Sequence, residues 1–136
     1  MPDPAEIKRK LSDVLARTEG VRWAYLFGSA ARGEPFRDVD VGVMLDDSAP
    51  GAVAFGRIAV ELQKALPEAT IDLVDLRPLA PAVAGRIARE RQILLDRDSE
   101  ARKAWEVESN RRALDIEPWL REFERLRSLA LQQRRA

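Results

Sequence analysis

The sequence predicts a small α/β domain of the mixed (α+β) kind: a β-sheet of about four strands with flanking helices, followed by a C-terminal helical arm. Three observations carry this. Residues 21–27 (VRWAYLF) are almost wholly apolar, as in a strand covered on both faces. Residues 38–45 (DVDVGVML) alternate, with Val39, Val41, Val43 and Leu45 on one face and Asp38, Asp40, Gly42 and Met44 on the other. From about Ser99 onward the chain is charged, with apolar residues at helical spacing.

Each element has a local reason. Asp3 or Pro4 opens a first helix whose Ile7, Leu11, Val14 and Leu15 share a face, and Gly20 stops it. The strand at 21–27 ends at Gly28 and Ser29, and the turn-rich stretch AARGEPFR follows. After the strand at 38–45 and the break DDSAPG, residues Phe55, Ile58, Ala59, Leu62 and Leu66 trace an amphipathic helix ending at Pro67. Residues 70–76 (TIDLVDL) form a third strand, 78–91 a further helix, and 92–95 a short edge strand. In the arm, Trp105, Ile116, Trp119, Phe123 and Leu126 keep helical spacing. Pro118 is expected to kink or split that helix, with Asp115 as a new N-cap. The expected division is a core domain over 1–97 and a helical extension over 98–136 that binds a partner or packs on the core.

Composition removes whole classes of chemistry. Twenty-three Lys plus Arg balance twenty-three Asp plus Glu among 136 residues, which argues against a basic nucleic-acid coat. With no Cys there is no disulfide scaffold, thiol nucleophile or thiolate-bound metal, and with no His there is no Ser-His-Asp triad or imidazole-bound zinc. Acid–base and metal work therefore falls to Asp, Glu, Lys, Arg or Tyr25. The N-terminal stretch is charged and no apolar run reaches the roughly 20 residues a membrane helix needs. A cytoplasmic protein without membrane contact is expected.

Connection lengths then bring particular residues together. Ten residues separate Phe27 from Asp38, too few for a parallel crossover, so these strands should be antiparallel neighbours. The longer connection before Thr70 suits a helix and a parallel crossover. Asp38, Asp40 and Asp72 then converge with the Gly28-Ser29 turn at one sheet edge. Clustered carboxylates repel unless a cation neutralises them, and an all-oxygen site suits Mg²⁺. Gly28 permits close backbone approach to a ligand, and Ser29 offers a hydroxyl and an amide to a phosphate. Gly33, with Arg32 or Arg37, extends the cradle. Asp75 competes with Asp72 as third carboxylate, although its parity sends it to the opposite face. Asp46 and Asp47 read as turn formers, Trp23 and Tyr25 as packing residues. Metal-assisted phosphoryl or nucleotidyl transfer is the chemistry this implies.

The run GSAARGEPFRDVDVGV followed by IDLVDL resembles the minimal nucleotidyltransferases (MNT domains) of the DNA polymerase β superfamily over roughly residues 5–96. The spacer of eight residues between Ser29 and Asp38 is shorter than is usual there. The resemblance implies a nucleotidyltransferase fold. It carries over Gly28 and Ser29 as triphosphate binders, Asp38 and Asp40 as Mg²⁺ ligands, and Asp72 as the third carboxylate. RDSEARKAWEVESNRRALDIEPWLREF is similar to the tail of MNT antitoxins of HEPN/MNT (type VII) toxin–antitoxin pairs, although Ala113 stands where a Tyr is common. That likeness implies AMP transfer from ATP to a tyrosine of a HEPN ribonuclease toxin, in a hetero-oligomer with the toxin or a homo-oligomer. The expected catalytic and metal residues are thus Asp38, Asp40 and Asp72, and the nucleotide-binding residues Gly28, Ser29 and Arg32. Two other readings compete: a nucleotidyltransferase acting on a small-molecule hydroxyl or RNA end, and a non-catalytic antitoxin acting by occlusion.

Overall fold

In the computed structural model, which describes residues 3–47 and 51–135, a four-stranded mixed sheet separates two layers of helix. Among the described residues nine elements follow in order: α1 (Pro4–Ala16), β1 (Val21–Phe27), α2 (Gly28–Ala31), β2 (Asp38–Leu45), α3 (Gly51–Ala65), β3 (Thr70–Asp75), α4 (Pro81–Glu90), β4 (Gln92–Asp96) and α5 (Ser99–Arg135). The strand order is β3-β2-β1-β4. The two most apolar strands, β1 and β2, therefore take the centre. As the short connection requires, β1 and β2 are antiparallel, and the crossover through α3 makes β2 and β3 parallel. Part of the DDSAPG break, residues 48–50, lies outside the described residues.

The two sheet faces bury different residues. On one, Ala24, Leu26, Val39, Val41, Val43 and Leu45 meet Ile7, Leu11 and Leu15 of α1 and Ile58 and Leu62 of α3. On the other, Trp23, Tyr25, Phe27, Met44 and Leu76 meet Ile87 of α4 and Trp105 of α5. The alternation along β2 is thus used in full: its valines go to the first face, its aspartates to the second.

Helix α5 departs from the expected break at Pro118, because it runs unbroken from Ser99 to Arg135 with that proline inside. The missing amide of Pro118 leaves the carbonyl of Leu114 without its helical partner. Leu114 is exposed, so water can satisfy that oxygen and the helix continues. No new N-cap forms at Asp115. The turn-rich stretch after β1 also holds one turn of helix, α2.

The first half of α5 is core. Gly85 of α4 lies so close to α5 that a Cβ there would run into the Cβ of Ala113. Beneath, Tyr25 Oη donates to Glu106 Oε1 (3.2 Å), and Arg102 binds both Glu106 (2.9 Å) and Asp96 (2.9 Å). Arg91 also pairs with Glu106. Beyond Ala113 the helix stands in solvent, with Trp119 80% and Phe123 63% exposed. Among the described residues no helix is long and apolar enough to cross a membrane.

Candidate active site

The site is built where β1 ends and β2 and β3 begin. Gly28 follows β1 with φ +73°, a backbone conformation that costs glycine nothing. Its missing side chain also matters, since a Cβ at Gly28 would collide with Asp40 Oδ2. The turn therefore packs directly against a carboxylate. Asp40 lies opposite Phe27 in the antiparallel register and opposite Asp72 in the parallel one. Asp38 is two residues upstream on the same face, opposite Thr70.

Asp40 and Asp72 form a close pair whose charges are in conflict. Burial comes first among the causes that raise the Asp40 carboxyl above its ordinary pKa; the charge of Asp72, a hydrogen bond with it, and the charge of Asp38 follow. The field of Arg86 on α4 opposes them only in part. Asp38 and Asp72 are exposed, and Asp40 is half-buried. Three carboxylates thus share one face of one sheet end. Among the described residues, however, no three acidic side chains are already drawn into a cage around a common point. Asp38 acts on the pair through its field rather than by contact. The donor set is oxygen only, beside a glycine that leaves room for the carboxylate, and its negative charge is incompletely balanced. That chemistry fits a hard divalent cation such as Mg²⁺.

Ser29 is half-buried at the start of α2, and Arg32 Nη2 lies 3.4 Å from its Oγ. Arg32 stands beside the turn, as the sequence reading expects of a phosphate contact, but two carboxylates engage it: Glu34 (3.0 Å) and Glu90 (2.9 Å). Gly33 also has a positive φ, and a Cβ there would meet nothing within 4 Å, so that glycine serves the turn rather than a contact. Asp75 lies on the opposite face, where Arg77 binds it at 2.8 Å and holds its carboxyl below the usual range. Trp23 and Tyr25 are fully buried and unavailable for stacking on a base.

Sequence reasoning missed Arg86 and Glu90, which adjoin this site from α4 and pair with each other at 3.8 Å. Their i,i+4 spacing is the signal that marks them. A groove of about 430 Å³ between the β3–α4 connection and α5, lined by Leu76, Leu79, Trp105 and Arg112 among others, includes none of the three aspartates. The carboxylates sit instead at an open sheet end.

The family model described as polymerase beta, nucleotidyltransferase, matches residues 9–100. No curated protein matches the chain. Among solved structures, one of a tri-AMPylated Shewanella oneidensis HEPN toxin in complex with MNT antitoxin contains a similar chain. It is 18% identical with a TM-score of 0.61, and the match covers 98% of this chain and 100% of that one. The toxin–antitoxin MntA–HepT gives 19% identity and a TM-score of 0.58, over 96% and 97% of the two chains. A toxin–antitoxin with AMP-PNP gives 21% and 0.56, over 95% and 98%. At these identities the likeness is one of fold.

Proposed function

The chain belongs to the polymerase beta nucleotidyltransferase family, and on that premise we propose that it is a Mg²⁺-dependent adenylyltransferase and antitoxin. It moves AMP from ATP onto a tyrosine hydroxyl of a cognate HEPN toxin and thereby silences it. The observation that carries the catalytic half is the packing of the Gly28 turn against Asp40, with Asp72 beside it in the parallel register.

In this reading the Gly28-Ser29 turn binds the triphosphate through backbone amides and the Ser29 hydroxyl. Asp38, Asp40 and Asp72 would hold Mg²⁺, which when bound supplies positive charge against the phosphates and the departing pyrophosphate. Asp72, exposed at the start of β3, takes the proton of the acceptor hydroxyl as that oxygen attacks the α-phosphorus. A new P–O bond to the acceptor forms, the bond between the α-phosphorus and the bridging oxygen breaks, and pyrophosphate leaves with the electron pair.

A protein acceptor is supported by α5. This helix starts beside Asp96, passes Tyr25 at Glu106, and reaches Gly85 at Ala113. It therefore packs on the sheet face to which the β2 aspartates also belong. Its second half leaves Trp119, Leu120, Phe123 and Leu126 in the open. So large an apolar stretch marks an interaction surface. The solved relatives are antitoxin complexes, one of them with an AMPylated toxin.

The test is intact-mass analysis of a purified HEPN toxin after incubation with this chain, ATP and Mg²⁺. One or more AMP additions are expected, and none with Asp40→Asn. An unmodified HEPN protein, with nucleotide transferred instead to a small hydroxyl compound or an RNA end, overturns the reading. Undiminished neutralisation of toxicity by Asp40→Asn points to occlusion instead.

A further inference from the structure

Two guanidiniums from different elements meet on one carboxylate beside the phosphate-binding turn. Arg32, from the end of α2, places Nη1 2.9 Å from Glu90 Oε2. Arg86, one turn before Glu90 on α4, places Nε 3.8 Å from the other oxygen, Oε1. Arg32 also reaches Ser29 Oγ at 3.4 Å, so the cluster is continuous with the turn. The Glu90 side chain is 24% exposed and that of Arg86 65%, which leaves the cluster open to a solute.

The backbone around Glu90 is firmly held. The next two residues fasten neighbouring elements: Arg91 pairs with Glu106 of α5, and Gln92 donates to the Ala31 carbonyl of α2 at 2.6 Å. Close packing of Gly85 on Ala113 fixes α4 against α5. The cluster can thus exchange partners without rearrangement of the helices that carry it. A carboxylate gripped by two guanidiniums imitates what a phosphate group would receive there, since arginine forks match both anions.

We propose that Arg32, Glu90 and Arg86 form a polyphosphate subsite in which Glu90 occupies the place of the ligand. The terminal phosphates of a triphosphate seated on Gly28-Ser29 displace the Glu90 carboxylate from Arg86 and Arg32. Glu90 thus keeps the two cations apart from solvent anions until a polyanion of higher charge arrives, and Arg86 binds the end of the ligand that departs as pyrophosphate. Free pyrophosphate offers the same chemistry. The inference rests on the nucleotidyltransferase reading and adds residues from α4 to it.

Calorimetric titration of the full chain with AMP-PNP, pyrophosphate and AMP, each with Mg²⁺, tests it. Arg86→Ala should weaken AMP-PNP and pyrophosphate about tenfold, the loss of one charge-assisted contact, while leaving AMP unchanged. Arg86→Lys should recover part of that loss. Glu90→Gln should tighten AMP-PNP several-fold, since an uncharged amide competes less well for the guanidiniums. Wild-type affinity in Arg86→Ala, or weaker binding in Glu90→Gln, overturns the subsite. Pyrophosphate losing affinity while AMP-PNP does not would also overturn it, by placing a free anion rather than the nucleotide tail on these residues. If wild type itself binds no AMP-PNP, the broader nucleotidyltransferase reading fails first.

Discussion

Tyr25 is the single tyrosine of the chain and is fully buried, with its hydroxyl donating to Glu106. Burial first, and the neighbouring Glu106 charge second, push its pKa well above the ordinary value of about 10. A folded-state pKa raised in this way favours the native state fully below that ordinary value. The advantage is lost as pH climbs above it, because only the unfolded chain ionises freely. Tyrosinate absorbance at 295 nm should therefore be absent from the native protein at pH 10 and rise together with unfolding. A smooth rise centred near 10 in folded protein would contradict the buried hydrogen bond. At Gly28 the constraint is steric: Gly28→Ala strains a positive φ and drives a methyl into Asp40. Displacement of a catalytic group by about 1 Å costs on the order of 100-fold in rate, and the acceptor mass assay should show a loss of that size. The placement of Gly28, Asp38, Asp40 and Asp72 at one sheet end was legible, because a turn motif, strand parity and connection lengths fix position and face. Glu90 was not. The i,i+4 spacing marks its pairing with Arg86, but its second partner, Arg32, lies 58 residues away, beyond any local pattern.

Among the elements, the strands and the helices α1, α3 and α4 follow from periodicity and from the lengths of their connections. The alternation of β2 and the ten-residue link before it were enough to set its partner and direction. Pro118 misled because proline's penalty depends on where the orphaned carbonyl lies, and an exposed one at Leu114 is solvated. The embedding of the first half of α5 was illegible for a related reason. Nothing in the sequence sets Arg102 and Glu106 apart from the other charges of the arm, whereas the helix buries them as a pair tied to Asp96 and Tyr25. The α4–α5 contact supplies the prediction at this scale. Gly85→Val places extra methyls against Ala113, and overpacking of that kind costs about 1–3 kcal/mol. A drop in denaturation midpoint with an unchanged slope is expected, and an unchanged midpoint would show that the two helices separate easily.

Considered as a whole, the molecule divides into a folded catalytic half and a projecting rail. The sheet with its two helical layers and the first half of α5 supplies stability; the second half of α5 adds exposed apolar surface. Replacement of Trp119 and Phe123 by Glu should leave the thermal midpoint unchanged, since both side chains lie outside the core. The same variant should fail to co-elute with the HEPN protein, because buried aromatic anchors dominate such contacts. Loss of folding, or an intact complex, would remove α5 from the interface. The claim on which these consequences depend is that the Gly28 turn and the Asp40–Asp72 pair together hold a divalent cation and a triphosphate. Electron paramagnetic resonance of Mn²⁺ in the presence of AMP-PNP tests this directly. Wild-type protein should broaden the signal of the Mn²⁺–AMP-PNP complex at about one equivalent per chain, and Asp40→Asn with Asp72→Asn should leave that signal as it is without protein. Equal Mn²⁺ uptake by the double variant and the wild type would contradict the account.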